Sequence, residues 1–186
     1  MDQTLREADQ KMRKAVDFAK EEFGAIRTGR AHPAMFSKLT ADYYGSPTPI
    51  QQLASFQSPE ARTVLIQPYD RNAMSAIEKA IRDSDLGVNP TDDGNVIRVV
   101  MPELTEERRK EYIKVARHKA EEGRVSVRNI RRSAKQSLEK QEKEKDGEVS
   151  KDDLVGAEKR LDGMTKKHVD EIDELLKHKE SELLEV

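Results

Sequence analysis

Cysteine and tryptophan are both absent from this chain of 186 residues. Without cysteine there is no disulfide framework, no thiolate metal site and no cysteine nucleophile, and nothing asks for an oxidising compartment. Aromatic side chains make up only 4% of the sequence while charged ones make up 38%. That balance leaves little material for a bulky globular core and points to an elongated molecule of one or two domains. Long apolar runs are missing too. The N-terminus, MDQTLREADQKMRK, is charged from its second residue and carries no apolar signal-type core. No later run approaches the roughly 18 apolar residues of a membrane span. The expectation is a soluble cytoplasmic protein that does not engage a membrane.

Proline is present but confined: all seven prolines fall within residues 30–104, and the apolar runs of that region are short and flanked by turn residues. Met35–Ala41, Gln52–Gln57, Thr63–Ile66 and Val96–Met101 read as strands, and Asn72–Arg82 as a helix with Met74, Ile77 and Ile81 on one side. Helical periodicity rules on either side. Leu5, Met12, Val16, Ala19, Phe23 and Ile26 form one apolar stripe, ended by Gly29. From Thr105, with Glu106 and Glu107 in the first turn, Ile113, Ala116, Ala120, Gly123, Val127, Ile130 and Ala134 step alternately by three and four. This helix is expected to reach Lys145, about 40 residues or about 60 Å. A turn around Asp146 and Gly147 precedes a third helix, opened by Ser150 to Asp153 in the manner of a capping box. Leu154, Ala157, Leu161, Met164, Ile172, Leu175 and Leu183 are its seam. Each stripe is too narrow to stand alone, so the three helices must bury them together. The fold class expected is α+β: an elongated three-helix bundle from residues 1–29 and 105–186, with a small β/α/β domain of residues 30–104 inserted. The chain crosses between them twice, and Gly29, Arg30, Ala31, Met101, Pro102, Glu103 and Leu104 are the expected hinge.

The net charge of -2 conceals two opposed segments. Residues 105–145 carry 14 basic and 8 acidic side chains, whereas residues 146–186 carry 7 and 13. Within the basic segment, Gly123 to Leu138 reads GRVSVRNIRRSAKQSL, with five basic residues and no acid. Set against the apolar seam, Arg117, Arg124, Arg128, Arg131 and Lys135 line one flank of the helix, with Arg132 more exposed beside them. Arginine forks suit phosphate oxygens, so the stripe reads as a rigid phosphate-binding wall, with Arg131 and Arg128 foremost and Arg124 and Lys135 supporting. The alternative is a solvated face paired with carboxylates. The local sequence offers none, but the acidic third helix is a source of partners.

Catalytic constellations do not assemble. GAIRTGR at residues 24–30 imitates a phosphate loop, but it lacks the lysine and the following Ser or Thr, and its glycines end a helix instead of joining a strand to one. Arg27 and Arg30 there suit a helix C-terminus as well as a ligand. His32, His118, His168 and His178 are scattered, and His168 lies on an apolar seam where a packing role is expected. Asp92, Asp93 and Gly94 read as a turn into a strand, and Glu106 and Glu107 as a helix start. No enzymatic activity, cofactor or metal is expected. A scaffold coiled coil would explain the heptads but gives the insert no role, and a magnesium-dependent nuclease would need convergent carboxylates.

Taken in order, RTGRA at residues 27–31, YYGSPTPIQQLAS at 43–55, KAIRDSDLGVNPTDDGNVIRV at 79–99, PELTEERRKE at 102–111 and VRNIRR at 127–132 resemble the bacterial ribosome recycling factor family. The resemblance runs the length of the chain. It implies an L-shaped, monomeric two-domain protein that binds the ribosome after peptide release, mainly through 23S rRNA of the large subunit. Elongation factor G with GTP then separates the subunits and frees messenger and transfer RNA. By position, Arg131 in VRNIRR, Arg27 and Arg30 in RTGR, and Arg109 in EERRK match family residues that contact ribosomal RNA. Arg117, Arg124, Arg128 and Arg132 join them from the stripe.

Overall fold

A computed structural model describes residues 1–144 and 149–185 and divides the chain into two compact units, Met1–Arg27 with Glu106–Glu185, and residues 28–105. The first unit is three helices: α1 (Asp2–Gly24), α4 (Glu106–Glu144) and α5 (Lys151–Leu184). α1 buries Leu5, Ala8, Met12, Val16, Ala19 and Phe23, one position per turn, as its period requires. It stops at Gly24, earlier than Gly29 suggested. The Ala25 amide bonds back to the Glu21 carbonyl and the Ile26 amide to that of Phe23, which tightens and ends the last turn. RTGR therefore lies in the connecting chain and not in a helix.

α4 buries Ala116, Ala120, Gly123, Val127, Ala134 and Leu138, so the expected seam is present and extends one turn further, while Ile113 and Ile130 are half-buried at its margin. Small residues let the axes approach. A methyl group added to Gly123 would stand 3.2 Å from Ile172 Cδ1 on α5 and 3.3 Å from Ala19 Cβ on α1, so glycine marks the point where all three helices touch. α5 opens with the expected capping box: Ser150 accepts from the Asp153 amide, and the Asp153 carboxylate accepts from the Ser150 amide. It buries Ala157, Leu161, His168, Ile172 and Leu183. The expected turn at Asp146 and Gly147, and Lys145 itself, lie outside the described residues.

The second unit holds a hairpin, β1 (Thr40–Tyr43) with β2 (Ser46–Pro49), and an antiparallel sheet in the order β3 (Ala54–Glu60), β4 (Thr63–Pro68), β6 (Ile97–Val100), β5 (Pro90–Asp92). A one-turn helix, α2 (Ile50–Leu53), precedes β3, and α3 (Met74–Arg82) follows β4. Alternation along β4 and β6 turns Val64, Ile66, Ile97 and Val99 to one face, fully buried, where Met74, Ile77 and Ile81 of α3 join them. The expected strand over Met35–Ala41 is instead a 3-10 turn, Pro33–Phe36, followed by β1. His32 Nδ1 accepts from the Ala34 amide at 3.1 Å and caps that turn. Gln52 and Leu53, read as strand, belong to α2. Two strands were not anticipated: β2, whose SPTP sequence carries two prolines, and the short β5. Prolines are tolerated in β2 because it is the outer partner of a two-stranded pair.

Candidate nucleic-acid interface

The flank of α4 that carries Arg117, Arg124, Arg131 and Lys135 is formed, and α5 has moved carboxylates onto it. Arg117 Nε bonds Glu180 at 2.7 Å, Arg124 Nη1 bonds Asp173 at 2.7 Å and Arg131 Nε bonds Asp162 at 2.7 Å. Arg124 also holds Glu121 at 2.9 Å on its own helix. Glu121 additionally approaches Arg128 at 3.5 Å, and Lys135 lies 3.9 Å from Glu139. The partners missing from the local sequence thus come largely from the third helix. Burial pulls the Arg124 pKa down, but the bonds from Glu121 and Asp173 outweigh it and raise the net value. The Arg124 hydrogen bond holds the Glu121 carboxyl below its ordinary value. With such partners these groups stay charged and their side chains are fixed in direction.

Exposure separates the stripe into two ranks. The Arg124 side chain is 19% exposed and that of Arg131 38%, whereas Arg128 is 56% exposed. Arg132 is exposed and forms no ion pair among the described residues. The helix period explains this: Arg124 and Arg131 stand beside the seam, and Arg128 and Arg132 lie further round towards solvent. Arg109 is half-buried in the first turn of α4. Arg27 is half-buried and Arg30 exposed in the chain after α1. Of the residues expected to form a hinge, Gly29 is buried, Arg30, Pro102 and Glu103 are exposed, and Leu104 is half-buried. Ala31 and Met101 belong to the core of the insert, and their amides donate to the carbonyls of Ala61 and Arg62, each at 2.7 Å. Glu103 pairs with Arg62 at 3.0 Å, so both crossing segments are fastened to the same β3–β4 turn.

On its other flank α4 forms, with α1, a groove of about 480 Å³ whose lining includes Ser126, Asn129, Ser133, Ser137 and Thr4. Sequence reasoning missed this uncharged polar stripe, although serines spaced by seven and four residues were a visible signal. His168 is 1% exposed, as its place on the seam predicted, and its Nε2 meets Asp9 Oδ1 at 2.7 Å. Among the described residues no three His, Asp or Glu side chains converge as metal ligands, and no helix is long and apolar enough to cross a membrane.

The model of the family described as "Ribosome recycling factor" matches residues 19–184. The chain belongs to the ribosome recycling factor family. Proteins named ribosome-recycling factor are 72% identical over 182 residues in Nocardioides sp., covering 98% of this chain and 97% of the relative, and 66% identical over the whole of both chains in Kineococcus radiotolerans. A solution structure of the ribosome recycling factor superposes with a TM-score of 0.79 at 44% identity, covering 100% of this chain and 97% of that one. A second structure gives a TM-score of 0.68 at 41% identity over 98% of each chain. It presents the T. thermophilus ribosome recycling factor and the E. coli elongation factor G bound to the E. coli post-termination complex. The bundle and the small sheet domain are thus those of ribosome recycling factor structures, a family of translation factors that are not enzymes.

Proposed function

We propose that this chain acts in the cytoplasm as a monomer that recycles ribosomes after termination. It binds the post-termination ribosome through 23S rRNA and, with elongation factor G and GTP, separates the subunits and releases messenger and transfer RNA. The carrying observation is the family match, which spans residues 19–184 and so takes in the insert and, from the bundle, α4, α5 and the last turns of α1. In this reading the bundle is the anchor. Arg128 and Arg132 make the leading phosphate contacts from the open side of α4. Arg131, Arg124 and Arg117 lie behind them, already oriented by carboxylates of α5. Arg27, after α1, and Arg109, in the first turn of α4, add cationic contacts from the bundle, and Arg30 adds one from the crossing segment.

The insert is the part that elongation factor G engages, and the crossing segments are its pivot. Because Ala31 and Met101 are bonded into the insert, the bend falls on residues 28–30 and 102–105. The energy for separation comes from the GTPase, and the chain contributes binding surfaces and stiffness. The deciding experiment incubates the purified protein with polysomes. Breakdown to subunits that requires the protein, elongation factor G and GTP together supports the reading, whereas breakdown by the protein alone, or none at all, overturns it.

A further inference from the structure

The three α5 carboxylates that meet the arginine flank are set in a row. Glu180, Asp173 and Asp162 are separated by seven and eleven residues, close to two and three whole helical turns, so they share one face of α5. Arg117, Arg124 and Arg131 stand seven apart on α4, about 10.5 Å per step. Each is met by one member of the row at 2.7 Å. Such a register between two helices calls for a cause, and stability is a weak one. The Asp162 and Asp173 side chains are 58% and 50% exposed, and exposed pairs contribute little to folding.

The contacts do not use up the arginines. Among the described residues Arg117 and Arg131 are held through Nε alone, which leaves the Nη hydrogens of each guanidinium for another acceptor. Arg124 is more fully engaged, by Asp173 through Nη1 and by Glu121 through Nε. What the row removes is charge. An RNA strand of no fixed shape binds a cationic face by neutralising its phosphates and shedding counterions, and it gains little from cations that are already neutralised. A folded RNA that first meets Arg128 and Arg132, on the open side of α4, brings its phosphates up to donors whose direction is already set. The same carboxylates therefore penalise the first kind of RNA more than the second.

We propose that Asp162, Asp173 and Glu180 are specificity-determining residues, which cover the arginine flank against unstructured RNA and leave it to an RNA of matching shape. The inference rests on the recycling reading, in which that flank docks on ribosomal RNA. Two full-length variants with the same change of charge are compared with the parent. In one, Asp162→Asn, Asp173→Asn and Glu180→Gln remove the row. In the other, Asp152→Asn, Asp170→Asn and Glu174→Gln neutralise exposed acids of α5 that make no bond to α4 among the described residues. Binding to poly(U) and to large subunits is titrated across a range of salt concentrations. Loss of the row should raise poly(U) affinity about a hundredfold, roughly fivefold for each arginine released, and steepen its log–log salt slope by about 2. Affinity for large subunits should rise less than about tenfold, and the control variant should change neither by more than about threefold. Equal gains on both RNAs, a poly(U) gain no greater than the control's, or a loss of large-subunit affinity overturns the proposal. If melting curves show that the triple change unfolds the bundle, Asp162→Asn alone decides. It should gain about fivefold on poly(U), and a gain no larger than that on large subunits overturns the proposal. A parent chain that binds large subunits no better than poly(U) overturns the recycling reading instead.

Discussion

The two units of this chain are held together by different chemistry. The bundle buries a narrow seam in which alanine recurs, at Ala8, Ala19, Ala116, Ala120, Ala134 and Ala157, and surrounds it with charges bonded from helix to helix. Arg13 reaches Glu171 at 2.8 Å, Lys119 reaches Glu22 at 2.9 Å and Arg160 reaches Asp2 at 2.8 Å, in addition to the three arginines that meet α5. The insert instead buries Phe36, Ile50, Val64, Ile66, Ile77, Ile81, Ile97 and Val99, and its ion pairs include the local Arg82 with Glu78 and Arg98 with Asp93 beside the longer-range Arg62 with Glu103. A long rod has much surface and little interior, so its specificity must come from close approach and from charge register. A small domain of strands around one helix has an interior and relies on volume.

The sharpest way to expose this contrast is to remove volume where volume matters. Ile66→Ala should destabilise the insert by about 2 to 5 kcal/mol, since the side chain is fully buried between Phe56 and Ile97 on neighbouring strands. Hydrogen exchange should show faster opening of β4 and β6 with α4 and α5 unaffected; equal opening of both units would show that the cores are not separate. Adding volume is the matching test on the bundle. Gly123→Leu is expected to cost about 1 to 3 kcal/mol, read from the melting transition, because Ala19 is fixed by its backbone and cannot give way.

Acid should discriminate next. Glu171 is held below its ordinary value of 4.5 first by its bond to Arg13, and Glu121 below 4.5 first by its bond to Arg124. A carboxylate whose folded value is depressed stabilises the fold fully above its unfolded value, and that contribution fades as pH falls through the folded value. Bundle stability should therefore decline below pH 4.5 on melting curves taken stepwise from neutral pH, and high salt should flatten the dependence. The smallest effect is expected from Asp162→Asn, which frees Arg131. Such an exposed pair contributes less than about 1 kcal/mol to stability. If Arg131 then turns to RNA, affinity for large subunits should rise by up to about fivefold in a binding titration. A decrease would show that Asp162 positions the arginine for its ligand.

How far these features were legible in the sequence depends on how local their causes are. The α4 seam was readable because its three-and-four stepping persists over many turns, and the Ser150–Asp153 cap because both halves lie within one turn. The end of α1 was misplaced because Gly29 is a strong stop signal, yet the chain had already turned at Ala25. β2 was invisible because two prolines in four residues hide a strand whose partner is supplied by the hairpin turn. At the candidate interface, periodicity placed the arginines on one flank. It could not say that Asp162, Asp173 and Glu180 stand opposite, since that depends on the relative register of two long helices. The seam therefore put Arg131 and Arg128 foremost together, and only the packed bundle separates them, with Arg131 bonded to Asp162 and Arg128 more exposed.

Because the bundle takes residues 1–27 from one end of the chain and 106–185 from the other, while residues 28–105 are continuous, the order of synthesis matters. The insert is complete while α4 is still being made, and it can close its core on the emerging chain. α1 is finished first and meets α4 and then α5 only after the insert has been made. At about 5 to 20 residues per second, its apolar stripe waits roughly 8 to 30 seconds for α5. The charges that alternate with Leu5, Met12, Val16 and Phe23 therefore have a task before there is any bundle to decorate, which is to keep a solitary amphipathic helix dissolved at the mouth of the ribosome that is making it.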